Sequence, residues 1–268
     1  MKRTWWAAVL LLVLSVPVCQ TVAQSPTLGA GSIVNGASFA QASAVNGAIA
    51  PGTIVSAFGT NLASQTQGAL TVPLTTTLNG SSLTFFAGSS AFAAPLFFTS
   101  AGQINAQVPF NVPLNSSITA QVTLNGQASS PISVSVVAVS PGIFFNADGQ
   151  GHNVGAIIHN SGAPTINVSN PAVQGEFVDI FCTGLGAVSP PAASGAAGPS
   201  SPTSNTVATP TVTLAGQTIT PVFSGLAPGF VGLYQVAFQV PANAPSGFQN
   251  VSLTINGITS NVVTMNVK

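Results

Sequence analysis

Two stretches of the sequence decide the fold: QINAQVPFNVP at residues 103–113 and YQVAFQVPANAP at residues 234–245. Both place a glutamine, a second glutamine and a proline at the same relative positions, 132 residues apart. Further segments repeat in the same order: PGTIVSAFGTNLA (51–63) resembles QGEFVDIFCTGLG (174–186), and TTTLNGSSLTF (75–85) resembles TVTLAGQTITP (211–221). Matches that keep their order along a chain indicate two copies of one domain.

The hydrophobic pattern within each copy has a period of two. Segments ITAQVTLNG (118–126) and VSLTING (251–257) alternate apolar and polar residues, which predicts half-buried antiparallel strands. Asn-Gly pairs that begin at Asn79, Asn125 and Asn256 predict tight hairpin turns. The fold class is therefore predicted to be all-β, with two tandem immunoglobulin-like sandwiches at residues 31–139 and 140–268.

The first 23 residues have the layout of a secretory signal peptide. Lys2 and Arg3 precede an apolar run at residues 7–14, and small residues lead to a cleavage site near Ala23. A lipid anchor on Cys19 and a retained membrane anchor are alternatives to cleavage. The expected location is outside the cell, either secreted or at the cell surface.

Charge is scarce in the rest of the chain. Beyond residue 23, Lys268 is the only Lys or Arg, and the acids are Asp148, Glu176 and Asp179. A nucleic-acid partner is excluded because phosphate neutralisation needs clustered basic residues. Anionic membranes are excluded as electrostatic partners for the same reason.

The motifs, taken in order, resemble an uncharacterised C-terminal domain family found in secreted proteins of soil acidobacteria. The resemblance rests on NGASF, IAPGTIVSAFGTNLA, APLFFTSAGQINAQVPFNVP, SPGIFF, GEFVDIFCTGLGAVSP, LAPGFVGLYQVAFQVP and TINGITSNVVTMNV, and extends from residue 35 to residue 267. The half-motif at residues 52–62 also resembles the start of the immunoglobulin-like TIG module. These resemblances imply the fold and the extracellular location, and they supply no catalytic residues.

Few side chains could carry out chemistry. The candidates for proton transfer, metal binding or nucleophilic attack are Asp148, His152, His159, Glu176, Asp179 and Cys182. The segment NADGQGHNVGAIIHN (146–160) has poor spacing for metal ligands. It favours a solvated turn followed by the strand VGAIIH (154–159), with ordinary histidines. Glu176 and Asp179 are expected on opposite faces of a strand, with Asp179 pointing outward, and Cys182 is expected to be buried. No catalytic, metal or cofactor site is assigned.

The sequence therefore predicts a non-catalytic binding or structural module for adhesion, matrix formation or protein assembly. Self-association or a protein partner is expected, because uncharged edge strands can pair with other chains. A carbohydrate-binding accessory domain is an alternative, and a metal-dependent hydrolase around Asp148, His152 and His159 is another. Phe-Phe pairs begin at residues 85, 97 and 144. One ring of each pair is expected in a core, and the other is expected to pack between the domains, with an exposed binding platform as the alternative. Residues 189–206 are expected to form a long mobile loop.

Overall fold

The structure, a computed structural model, describes residues 24–40, 47–114, 117–162 and 164–268. These residues form 24 strands and no helix. None of the described segments is a helix that could cross a lipid bilayer. The predicted signal peptide at residues 1–23, including Cys19, lies outside the described residues.

The first sandwich consists of two antiparallel sheets. Its strands are β1 (Thr27–Asn35), β2 (Ile54–Thr60), β3 (Gln67–Gly68), β4 (Ser81–Ala87), β5 (Ser90–Ala93), β6 (Leu96–Thr99), β7 (Gln103–Gln107), β8 (Ser117–Leu124), β9 (Gln127–Ala128) and β10 (Ile132–Ser135). One sheet has the order β1-β2-β7-β6-β3, and the other has the order β10-β8-β4-β5 with β9 paired to β8.

The second sandwich repeats this plan with more strands. They are β11 (Gly142–Ile143), β12 (Phe145–Ala147), β13 (Asn153–Gly155), β14 (Ile157–His159), β15 (Phe177–Thr183), β16 (Val188–Ser189), β17 (Asn205–Thr206), β18 (Thr211–Leu214), β19 (Gln217–Ile219), β20 (Phe223–Leu226), β21 (Tyr234–Gln239), β22 (Gly247–Ile255), β23 (Ile258–Thr259) and β24 (Val263–Val267). The sheet orders are β11-β15-β21-β20-β17-β16, with β14 on β15, and β12-β13-β24-β22-β18-β19, with β23 on β22.

Strand register shows that the β2–β7 pair of the first sandwich corresponds to the β15–β21 pair of the second. Ile54 of β2 pairs with Gln107 of β7, and Phe177 of β15 pairs with Gln239 of β21. Both glutamines end their strands two residues before the proline of the repeated phrase, since proline cannot donate to a ladder. The sequence match of residues 75–85 with residues 211–221 is out of register, because Thr211 of β18 and Ser82 of β4 pair with the equivalent residues Thr254 and Thr123. The prediction of an all-β fold with two immunoglobulin-like sandwiches is confirmed.

The alternating apolar residues fill two separate cores. Val55, Leu83 and Phe85 belong to the core of the first sandwich, and Val178 and Phe238 belong to that of the second. The predicted Asn-Gly turns are also confirmed, because both residues of each pair have positive φ. Each sandwich therefore buries its own apolar face.

Candidate binding sites at the junction of the two sandwiches

Buried and partly buried hydrogen bonds join one end of the first sandwich to the second. The Ile54 amide donates to Thr183 Oγ1 over 2.9 Å, and that hydroxyl donates to the Gly232 carbonyl over 3.0 Å. The Asn35 side-chain amide donates to the Ser140 carbonyl over 2.8 Å. Asn35 and Thr183 have no exposed surface, so each depends on these bonds to satisfy its buried polar group.

Gly52 allows a close approach at this junction. Its backbone has φ +80°, and an added Cβ would lie 2.3 Å from the Phe110 ring and 3.0 Å from the Tyr234 hydroxyl. Tyr234 belongs to the second sandwich, is fully buried and donates its hydroxyl to the Gly186 carbonyl. A side chain at position 52 would therefore push against both sandwiches.

A long segment between β16 and β17, the junction loop (residues 190–204), also binds the first sandwich. The Gly195 amide donates to Gln107 Oε1 over 2.7 Å, and the Gly195 carbonyl accepts from the Leu74 amide over 2.8 Å. The Phe110 amide donates to Ser194 Oγ over 2.9 Å. These bonds attach the loop to the first sandwich, which opposes the mobility expected from its composition.

A cavity of about 390 Å³, the cleft, opens between the sandwiches beside the junction loop. Its walls come from the first sandwich, from the connector between β10 and β11, and from the second sandwich. Apart from Asn256, the walls are apolar: Pro51, Phe110, Val112, Leu114, Ala138, Val139, Leu185, Ala187, Val188, Pro191, Ala192, Val207 and Ala208. Apolar pockets between domains are a common location for ligand sites.

A second concavity of about 350 Å³, the groove, lies where residues 69–74 face residues 229–231. Three large apolar side chains on it are exposed: Leu70 at 86%, Val72 at 56% and Phe230 at 58%. Leu70 and Val72 belong to the first sandwich, whereas Phe230 belongs to the second. The groove is therefore an apolar surface shared by both sandwiches.

The sequence candidates Asp148 and His152 form a local pair. His152 Nδ1 lies 2.6 Å from Asp148 Oδ2, and the His152 ring stacks on Phe248 with the ring centroids 3.9 Å apart. Desolvation raises the pKa of Asp148, but hydrogen bonds from the Gln150 backbone and from His152 outweigh it, so the pKa lies below its usual value. These contacts describe a tight turn, as the sequence predicts.

His159, Glu176 and Asp179 lie at the opposite end of the second sandwich from the junction. His159 Nδ1 lies 2.9 Å from Glu176 Oε1, and the Asn160 side-chain amide donates to Asp179 Oδ2 over 2.9 Å. His159 is buried in β14, which pairs with β15. The sequence predicts a strand at residues 154–159 after the turn, and the short strands β13 and β14 cover this range.

The expectation that Asp179 points to solvent is wrong in one respect. Its neighbours Val178 and Ile180 belong to the core, so Asp179 does lie on the other face of β15. Its exposure is nevertheless only 4%, because adjacent strands flank β15 on both sides. The face is correct, and the solvent exposure is not.

The other candidates are structural. Cys182 is a fully buried free cysteine, as expected, and burial raises the pKa of its thiol. Phe85 is fully buried, whereas its neighbour Phe86 is half-buried. Phe145 packs against the second core, and Phe97 lines the groove. Within the described ranges, no three His, Cys, Asp or Glu side chains come together as metal ligands.

Sequence reasoning missed the residues that form the junction, the cleft and the groove. Asn35 and Thr183 lie within quoted motifs, but no motif shows their contacts across the junction, because the partners are distant in sequence. The segment between β15 and β17 is longer than the equivalent segment between β2 and β3, and the extra residues form the junction loop. This difference in length was the available sequence signal. The exposed Leu70 and Phe230 stand in segments that resemble ordinary turns.

No family model matches the chain, and no curated protein matches it. Among solved structures, it is similar to the surface glycan-binding protein SGBP-B from the mixed-linkage glucan utilization locus of Bacteroides ovatus, in complex with a heptasaccharide. The identity is 13% and the TM-score is 0.32, and the match covers 82% of this chain and 42% of that one. It is also similar to SGBP-B from a xyloglucan utilization locus of Bacteroides uniformis, at 10% identity and a TM-score of 0.28, over 91% and 50%. A titin fragment matches at 10% identity and a TM-score of 0.23, over 91% and 98%.

The chain thus spans about half or less of the length of the two Bacteroides proteins. Similarity at this level assigns neither a function nor a ligand to it. The resemblance to the acidobacterial family and to the TIG module stays a prediction.

Proposed function

We propose that this protein is a non-catalytic module of the cell exterior that associates with other protein chains through the groove. The observation that carries the proposal is the exposure of Leu70, Val72 and Phe230 on one surface built by both sandwiches. Contiguous exposed apolar surface is uncommon in monomeric soluble proteins and is typical of interaction sites. An exposed phenylalanine is well suited to anchor such a contact.

The charge distribution favours association that salt does not control. Residues 24–140 contain no ionisable side chain, and none of the groove residues is charged. Hydrophobic contact, unlike attraction between exposed charges, is not screened by salt. A second copy of the chain is the first partner to test, because every copy presents the same surface.

The test is size-exclusion chromatography with light scattering on residues 24–268, over a range of protein concentrations at low and high salt. We expect oligomers that grow with concentration and respond little to salt. The double variant Leu70→Ser with Phe230→Ser should be monomeric at concentrations where the wild type associates. The matched control is Val168→Ser with Val262→Ser, which also removes two exposed apolar side chains but lies outside the groove.

Equal association of the groove variant and the control would contradict the proposed surface. If the wild type stays monomeric, a photo-crosslinking residue at position 230 in cells that produce the protein tests for a different protein partner. The absence of any adduct at position 230, together with a monomer in solution, would overturn the association function.

The carbohydrate alternative receives less support from the aromatic residues. Tyr234, the only tyrosine, is fully buried and cannot stack on a sugar. Trp5 and Trp6 belong to the predicted signal peptide. The hydrolase alternative is weakened by the separation of Asp148 and His152 from His159, which pairs with Glu176 instead.

A further inference from the structure

We propose that the cleft between the two sandwiches binds a small, neutral, apolar molecule, such as one with an alkyl chain or an aromatic ring system. This site is separate from the groove and does not rest on the association function. Its volume of about 390 Å³ falls within the range of about 300–1,000 Å³ that is typical of ligand pockets.

The walls determine the chemical class of the ligand. Phe110, Val112, Leu185 and Val188 offer aromatic and aliphatic surface, and Asn256 is the polar residue of the lining. A polar ligand would lose its hydrogen bonds to water against such walls without replacing them. An apolar ligand gains from leaving water, and an apolar cavity holds water poorly.

The absence of charge in the lining excludes an ionised ligand. None of the lining residues is Lys, Arg, His, Asp or Glu. Lys268 bonds through its backbone amide to the Ala172 carbonyl, and neither residue lines the cleft. A carboxylate or an ammonium group in the cleft would therefore lack a counter-ion, which makes its burial costly.

Junction contacts hold the cleft open in the unbound protein. Phe110 lines the cleft, and its amide is bonded to Ser194 of the junction loop. Pro191 and Ala192, on the same loop, line the cleft as well. A site whose walls are already fixed costs less conformational entropy on binding than one that must form around the ligand.

Fluorescence titration with N-phenyl-1-naphthylamine, a neutral apolar probe, tests the site on residues 24–268. We expect saturable binding to the wild type. Ala208→Phe, at a half-buried position in the wall, and Ala187→Phe, at the exposed rim, should each weaken probe binding about tenfold, because the added ring occupies the space. The rim variant keeps the test decisive if the wall variant folds poorly.

The matched control is Ala128→Phe, which adds the same ring at an exposed position that does not line the cleft. Its affinity for the probe should equal that of the wild type. The proposal is overturned if the wild type does not bind the probe, or if Ala187→Phe and Ala128→Phe bind it equally.

Competition with three molecules of equal chain length tests the required neutrality. Decanol should displace the probe, whereas ionised decanoate and decylammonium should do so about tenfold less effectively. Equal displacement by decanol and the two ions would show adsorption to exposed surface instead of entry into the cleft, and would overturn the proposal.

Discussion

The end of the first sandwich that meets the second sandwich differs from the equivalent end of the second sandwich. Strand register makes Asn35 equivalent to His159, since they pair with Val55 and Val178 of the repeat, and makes Gln107 equivalent to Gln239. Asn35 and Gln107 bond across the junction. His159 pairs instead with Glu176, and the Gln239 amide donates to the Gly175 carbonyl of its own sandwich.

The same positions of one repeat therefore serve two purposes. In the first sandwich their polar groups join a neighbour, and in the second they are paired within the domain. Terminal units of repeat proteins commonly have a polar outer face that ends the stack. This difference argues against the extension of the tandem pair by a further copy docked end to end, and it directs attention to the groove.

The largest expected effect comes from the equivalent glycines Gly52 and Gly175. Gly52→Ala should lower stability by about 1–2 kcal/mol from the positive φ and by about 1–3 kcal/mol more from its contact with Phe110 and Tyr234. Gly175 also has positive φ, +84°, but an added Cβ there has no atom within 4 Å. Gly175→Ala should therefore lower stability only by the cost of positive φ, about 1–2 kcal/mol.

Thermal and urea unfolding of both glycine variants measure this difference. Equal losses at positions 52 and 175 would mean that the junction does not constrain Gly52 and would remove the distinction between the two ends.

The glutamine pair should give a smaller effect. Gln107→Leu leaves the Gly195 amide without its acceptor, which should cost about 1–3 kcal/mol. Gln239 is exposed, so Gln239→Leu should change the free energy of unfolding by no more than about 0.5 kcal/mol. Urea unfolding of the two variants provides the measurement, and a greater loss from the variant at 239 would reverse the proposed roles.

The smallest expected effect is the response to pH, which should originate in the second sandwich. Residues 24–140 contain no ionisable side chain. The pKa of Asp148 lies below the usual value for an aspartate, so its stabilising contribution is present at neutral pH and is lost as the pH falls through the lowered pKa.

Asp148→Asn should therefore be less stable than the wild type at pH 7, and the difference should shrink in acid at about pH 3. Urea midpoints of the two proteins at both pH values check this expectation. A difference that stays constant from neutral pH into acid would show that the charge of Asp148 does not contribute.

Much of the fold could be predicted from local pattern. The alternation in residues 118–126 and the Asn-Gly turn that follows specify a strand and a hairpin without any tertiary information. The turn at Ala215-Gly216 has the same positive φ values, although alanine is a poor turn residue. No turn was predicted there from the sequence, and its alignment with Asn79-Gly80 does not hold in the structure, because Ala215-Gly216 joins β18 to β19 whereas Asn79-Gly80 precedes β4.

The candidate sites could not be predicted, because they depend on how two domains meet. The exposure of Phe230 and the burial of Gln107 follow from contacts between residues far apart in sequence. Asp179 illustrates the same limit: period two gives the face of the strand, but only the neighbouring strands decide how much water reaches it.

The buried position of Tyr234 makes the protein its own optical reporter. Residues 24–268 contain this one tyrosine and no tryptophan, so ultraviolet absorption near 280 nm and intrinsic emission come chiefly from a single ring beside Gly52. Tyrosine fluorescence should therefore follow the separation of the two sandwiches, without any label. For the same reason, absorbance at that wavelength is weak, and peptide-bond absorption in the far ultraviolet gives a more sensitive measure of concentration.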